Sequence, residues 1–258
     1  MKQIRLDSLS ALNLQEWFWQ PVFNDMIDLL SIFNLENYPI PFDYLYKNVI
    51  TGSSRKPIEV TTSTWACKFK KIQQIRAACI QGSGYLSVFN LVIKPCSDYN
   101  LPFFGADFVT LPNGHLLALD LQPVLKSDPF HTEDVWEKLI PIHDRWQSLL
   151  PDGGDIPPEA KSYFSPGFLW TRLPLGNSSD SIINESIRPA FKEYLSLYLQ
   201  LISNADRVSR EFSLKLLAGQ KSYFTYRSEK DPARGMLTRF YGKEWAEEYI
   251  HQVLFNID

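Results

Sequence analysis

The sequence predicts an α/β protein, a three-layer α/β/α sandwich with a central antiparallel sheet flanked by helices. Three observations predict it. Between Lys56 and Gln122, short runs rich in Val, Ile, Thr, Phe and Trp alternate apolar with polar residues, which is the period of strands. The breaks between them, Gln81-Gly82-Ser83-Gly84 and Leu111-Pro112-Asn113-Gly114, have hairpin chemistry and leave no room for a crossover helix. On both sides of this block the apolar spacing changes to the 3.6-residue period of amphipathic helices.

In chain order, a first helix is expected over roughly Leu14 to Phe33, then strands near 57–69, 72–81, 85–94, 104–111 and 115–122. A helix from Thr132 to Leu149 turns Val135, Leu139 and Ile142 inward. Pro151 to Pro158 is a Pro/Gly loop. Helices follow near 183–203, 209–228, 232–240 and 243–253, with Ser209, Asp231 and Gly242 as boundary signals. At 258 residues the chain is expected to form a single domain over 1–258, with 1–54 a helical segment packed on it.

Composition narrows the function classes. With 45% apolar and 21% charged residues the chain is neither disordered nor a coiled coil. Lys and Arg number 26 against 29 Asp and Glu, a net charge of -3, so no nucleic-acid partner is expected. Met1 to Gln20 lacks the apolar run of a signal peptide, and no stretch reaches the roughly 20 apolar residues of a membrane span, so a soluble, cytoplasmic protein is expected. Cys67, Cys79 and Cys96 are too irregularly spaced for a disulfide framework and read as buried thiols. The sequence holds no GxxxxGK[ST] loop, HExxH, GxSxG or four-cysteine set, and Gly82-Ser83-Gly84 lacks the rest of a dinucleotide fingerprint. His115, His131, His143 and His251 are scattered, so a nucleophilic triad would have to be assembled by the fold.

Several polar residues fall on apolar strands. The period of two puts Phe103, Gly105, Asp107 and Val109 on one face of a strand and Phe104, Ala106 and Phe108 on the other. A carboxylate there must be paired or pay a desolvation cost, so Asp107 reads either as a hydrogen-bonded structural group or as a tuned acid. Gly105 leaves space above the sheet for a flat ligand. Asn90, Asp120 and Gln122 are also polar on apolar faces and are candidate pocket liners. Asp231 before Pro232 is a normal helix start, and as a cap it would have a lowered pKa. Lys68, Lys70, Lys71 and Arg76 form a local basic cluster, either solvated or a docking surface for an acidic partner.

The motifs Leu101-Pro-Phe-Phe-Gly-Ala-Asp107, His115-Leu-Leu-Ala-Leu-Asp-Leu-Gln-Pro123, Tyr163-Phe-Ser-Pro-Gly-Phe-Leu-Trp-Thr-Arg172, Asp231-Pro-Ala-Arg-Gly-Met-Leu237, Phe240-Tyr-Gly-Lys-Glu-Trp245 and Ile250-His-Gln-Val-Leu-Phe255 resemble, in this order, those of the ferredoxin-dependent bilin reductases. Within that family, Thr64-Trp-Ala-Cys-Lys68, Arg76-Ala-Ala-Cys79 and Leu150-Pro-Asp-Gly-Gly154 look most like the members that make phycoerythrobilin. The resemblance implies a monomeric reductase that binds an open-chain tetrapyrrole between its sheet and its C-terminal helices, with no bound cofactor and reduced ferredoxin as external electron donor. It further implies two-electron reduction of 15,16-dihydrobiliverdin at the A-ring diene to phycoerythrobilin through radicals, with the upstream bilin reductase as a further partner. Reduction of biliverdin at the 15,16 bridge, a four-electron reduction to phycoerythrobilin and a non-catalytic bilin carrier stand as alternatives.

By position, the resemblance makes Asp107 the principal proton donor and Asp231 the A-ring donor, and pairs Arg172 with a bilin propionate. It offers Lys221, Arg227 and Arg234 for the second propionate and Asn90 as a hydrogen-bond partner of the pyrroles. The family members that make phycocyanobilin have histidine and glutamate where this chain has Asn90 and Ala78, so the resemblance does not extend to D-ring vinyl reduction.

Overall fold

The computed structural model describes residues 17–256. Residues 14–16 of the expected first helix, and with them the start of the expected 1–54 segment, lie outside the described residues.

Five strands fall within two residues of where the apolar alternation puts them: β3 (Lys56–Phe69), β4 (Ile72–Gly82), β5 (Ser87–Pro95), β6 (Phe103–Leu111) and β7 (Gly114–Gln122). They pair consecutively and antiparallel. Among the described residues three further strands belong to the sheet: β1 (Glu36–Asn37) and β2 (Tyr46–Ser53) both pair with β3, and β8 (Leu169–Leu173) pairs with β7. One expectation is corrected here, and one strand was not expected. The 1–54 segment is not wholly helical, because β2 is a strand whose residues are all exposed or half-buried, so its apolar alternation is weak. The edge strand β8 has only five residues, too few for a period of two to stand out.

The helices are α1 (Gln20–Leu30), α2 (Phe42–Leu45), α3 (Pro129–Gln147), α4 (Pro158–Lys161), α5 (Asn177–Ile182), α6 (Arg188–Asn204), α7 (Arg210–Lys230), α8 (Ala233–Tyr241) and α9 (Lys243–Tyr249). Helix α3 begins three residues before the expected Thr132, where Asp128 accepts from the Phe130 N–H at 3.0 Å and Pro129 occupies the first turn. Ser209 caps α7 through the Phe212 N–H at 3.2 Å, as its side chain predicts. Gly242, at φ 86°, separates α8 from α9, a backbone state that suits glycine. The expected 183–203 helix runs on from α5 through a π-helical turn, Ile183–Ile187, into α6. Pro189 follows that turn; it has no N–H to donate, and the wider turn makes room for its ring. A second π-helical turn, Ile250–Leu254, extends α9.

Helices cover both faces of the sheet, which is the α/β/α sandwich expected. On one face, Trp65, Phe89, Phe104, Phe108 and Leu119 pack against α1, α3 and α6. On the other, Val60, Ile80, Val88 and Phe103 meet Tyr223 and Phe224 of α7, Leu237 of α8, and Tyr249 and Val253 near the C-terminus. Each fully buried large side chain contributes roughly 1.5–3 kcal/mol, so both layers are held mainly by apolar burial. The second layer is also tied by hydroxyls, Thr62 to Tyr241 at 2.6 Å and Thr64 to Tyr249 at 2.8 Å. Among the described residues no helix is long and apolar enough to cross a membrane.

Candidate active site

Sheet register lines up the polar groups. Across β3 to β8, Thr64, Ala78, Asn90, Asp107, Ala118 and Trp170 form one row of directly opposed residues on the face towards α7–α9. The next row on that face is Ala66, Arg76, Val92, Gly105 and Asp120. On β6 the opposite face is closed, with Phe104 and Phe108 at 0% exposure. Gly105, Asp107 and Val109 are only half-buried, as are Asn90, Leu116, Ala118 and Trp170 beside them. The C-terminal helices therefore leave this part of the sheet open as a cleft.

Three residues form a hydrogen-bonded chain across its floor. Arg76 donates from Nη1 to Asn90 Oδ1 at 2.5 Å and to the Asn90 carbonyl at 3.1 Å, and Asn90 Nδ2 donates to Asp107 Oδ1 at 3.0 Å. Arg76 also reaches the Leu254 carbonyl from Nη2 at 3.5 Å. Its side chain is fully buried, and burial lowers its pKa while Tyr249, Asp231 and Asp107 act to keep it charged. This corrects the expectation of a surface cluster: Arg76 is not exposed beside Lys68 and Lys70. Lys71 caps the end of α6, donating to the carbonyls of Ile202, Ser203 and Ala205 at 2.8, 3.0 and 2.7 Å.

Asp231 comes to the same region from the α7–α8 junction. Its Oδ1 accepts from the Ala233 N–H at 2.7 Å, so the cap predicted from Asp-Pro is present. The expected lowering of its pKa is not: burial raises it above the usual carboxylate range, with the charge of Asp107 adding to this and Arg227, the cap bond and Arg76 opposing it. Arg227 stands 3.8 Å from Asp231 Oδ2 and donates to Tyr223 at 3.3 Å. Burial works against the charge on Arg227, but Tyr223, Asp231 and Asp107 outweigh it and raise its pKa. Tyr223 and Arg227, four residues apart, lie on one side of α7, and Asp231 follows at the end of that helix.

Tyr223 stacks on Phe103 at 4.9 Å and donates to Gln122 Oε1. Gln122 takes up part of the space expected over Gly105, since a Cβ there would lie 3.1 Å from its Oε1. Asp120, pushed up to about 7 by burial, accepts from the N–H and hydroxyl of Ser165 and holds the turn that leads into β8. The histidines form no triad in this cleft: His115 bonds Thr110, while His131 bonds Asn100 and the Val124 N–H.

The comparisons with known proteins fit this layout. The family model described as ferredoxin-dependent bilin reductase matches residues 25–256. The chain belongs to the ferredoxin-dependent bilin reductase family. It is 65% identical over 253 residues to the phycoerythrobilin:ferredoxin oxidoreductase of Prochlorococcus marinus (strain SARG), covering 98% of each chain. It is 58% identical to the enzyme of that name from Synechococcus sp. (strain RCC307), over 98% of this chain and 97% of the other. The crystal structure of tomato phytochromobilin synthase in complex with biliverdin superposes with a TM-score of 0.82 at 26% identity, over 93% of this chain and 83% of the tomato chain.

As a ferredoxin-dependent bilin reductase the chain is an oxidoreductase with ferredoxin as its donor, and its sequence-predicted residues fall into two groups. Asn90, Asp107, Arg227 and Asp231 converge on the cleft. Arg172 is exposed on β8, its guanidinium 5.3 Å from the Trp170 ring, and helps line a cavity of about 370 Å³ with Asn113, His115 and Pro174. Arg234 is engaged elsewhere, by Glu247 and the Ser228 carbonyl, and Lys221 is exposed on α7. Sequence reasoning missed Arg76 and Tyr223 as site residues. A signal for Arg76 existed: it shares a parity with Ala78 and Ile80 on a strand apolar on both faces, the argument that singled out Asp107. For Tyr223 the only signal is its four-residue spacing to Arg227 and Asp231.

Proposed function

We propose that this bilin reductase converts 15,16-dihydrobiliverdin to phycoerythrobilin by reducing the A-ring diene. Two reduced ferredoxins each deliver one electron, the pigment itself holds the unpaired electron between the two transfers, and two protons complete the reaction. Asp107 is the principal proton donor and Asp231 the donor to the A ring. Arg227 in the cleft and Arg172, exposed at the β8 edge of the same sheet face and opposite Leu116, are the cations for the propionates, each suited to a carboxylate by its forked guanidinium.

The observation that carries this reading is the convergence of two carboxylates from a strand and a helix junction on one open cleft, each within electrostatic reach of the other. Asp231 is held above the ordinary carboxylate range by burial, which keeps its proton available nearer neutral pH. Asp107 stands on the half-open floor, where solvent can return a spent proton. The names of relatives at 58–65% identity support the product.

The test is anaerobic incubation with reduced ferredoxin and, separately, 15,16-dihydrobiliverdin or biliverdin, with products identified by absorption and chromatography. Phycoerythrobilin from the first pigment is expected, and no turnover of the second. Asp107→Asn should bind pigment normally yet stall as a long-lived radical; normal turnover by that variant removes Asp107 from the mechanism. Binding without any ferredoxin-dependent spectral change would make the protein a carrier.

A further inference from the structure

We infer that Arg76 is a positioning residue for the proposed proton donor, acting through Asn90 to leave only one oxygen of Asp107 free to carry the proton that is transferred. The inference rests on the reading of Asp107 as a proton donor.

The argument follows from what each group can donate and accept. A guanidinium only donates, so the Asn90 atom 2.5 Å from Arg76 Nη1 must be the amide oxygen. The other end of that amide is then its NH₂, and it points at Asp107 Oδ1, 3.0 Å away. Asp107 Oδ1 must therefore accept, and a proton on Asp107 resides on Oδ2. Remove Arg76 and, among the described residues, only the negative charge of Asp107 still orients the amide; once Asp107 takes up its proton, both orientations are open. The flipped amide would present its oxygen to Asp107, and the carboxyl proton would be drawn into a bond with Asn90, away from the pigment.

The placement of Arg76 has no simpler structural reason. A fully buried guanidinium is costly, and among the described residues its Nε has no hydrogen-bond partner. Among the described residues, two of its three acceptors belong to Asn90, and the third, the Leu254 carbonyl, is at 3.5 Å. An aliphatic side chain would fill the strand position at less cost if packing were the only requirement.

The experiment is a double-mutant cycle on turnover, with Arg76→Met, Asn90→Leu and the pair, alongside Arg76→Lys. Arg76→Met and Asn90→Leu are each expected to lower kcat by roughly tenfold or more, and Arg76→Met, which removes a fully buried group, should leave KM for the pigment within about threefold of the native value. The double variant should be no slower than the slower single one, because both break the same chain. Arg76→Lys keeps one donor for Asn90 and should recover at least about a third of the native kcat. Losses that multiply in the double variant, or native kcat in Arg76→Met, overturn the inference. Should Arg76→Met fail to fold, the cycle is run with Arg76→Lys, whose smaller loss must vanish on the Asn90→Leu background and overturns the inference if it persists there. Asp107→Asn separates the two readings: native activity in that variant defeats the proton-donor assignment itself, whereas an inactive Asp107→Asn with multiplying losses at Arg76 and Asn90 defeats only the positioning role.

Discussion

The two faces of strand β6 share one backbone and differ in almost everything else. Phe104, Ala106 and Phe108 point into a dry layer of aromatic rings, with Phe108 5.3 Å from Trp19 and 5.9 Å from Phe191. Gly105, Asp107 and Val109, one residue out of step, look into a half-open cleft crossed by a chain of charged and amide groups. The first face is where stability is concentrated. The second carries polar groups that apolar residues of the same size would replace at lower cost, which marks it as the face kept for chemistry.

The sharpest way to break this division is to cut both faces of the one strand. Phe108→Ala should cost about 3–5 kcal/mol and lower the melting temperature by roughly 10 °C, with turnover per folded molecule unchanged. Asp107→Asn should do the reverse, losing roughly 100-fold or more in turnover while the melt stays within about 1 kcal/mol of native. If both variants lose stability alike, the two faces are equivalent and the division fails.

Asp231 belongs to both roles, and two substitutions separate them. Asparagine caps a helix as well as aspartate does, so Asp231→Asn should melt like the native protein and yield no A-ring-reduced product; Asp231→Ala should also lose about 1 kcal/mol of stability. Full activity in a stable Asp231→Asn leaves the residue as a cap alone.

The structural side also titrates. His131 accepts from the Val124 N–H at Nε2 and contacts Asn100 Oδ1 through Nδ1, bonds that suit a neutral ring, and burial lowers its pKa from 6.5 to about 4. Below pH 6.5 the unfolded chain takes up a proton that the folded chain refuses. The stability this group contributes is therefore present above pH 6.5 and lost as pH falls towards 4, by about 3 kcal/mol in total. Denaturant melts of the native protein and of His131→Gln between pH 7 and pH 4 should show this slope only in the native protein. The smallest effect is expected at Gly235, exposed in the middle of α8 with nothing within 4 Å of a Cβ. Gly235→Ala should stabilise by about 0.5–1 kcal/mol, and a loss instead would mean that the helix has to flex over the cleft.

Much of this layout is legible in the sequence because it depends on geometry between near neighbours in the chain. A period of two places Asp107 opposite Phe104 and Phe108 of β6, a period of 3.6 marks α3 and α6, the Ser209 cap marks the start of α7, and Asp-Pro at 231–232 announces a cap. Strands β2 and β8 escape that logic, since a half-exposed edge or a five-residue run has too little contrast between its faces.

What tertiary structure alone decided is which polar residues meet. Arg76 reads as a member of a basic surface cluster until the chain returns 178 residues later to place the Leu254 carbonyl beside it. Asp231 reads as an acid with a lowered pKa until packing removes the water around it and outweighs the cap bond. Local periodicity assigns a side chain to a face; only the packing of distant segments sets how dry that face becomes and which charges share it, and those two quantities govern where a proton resides.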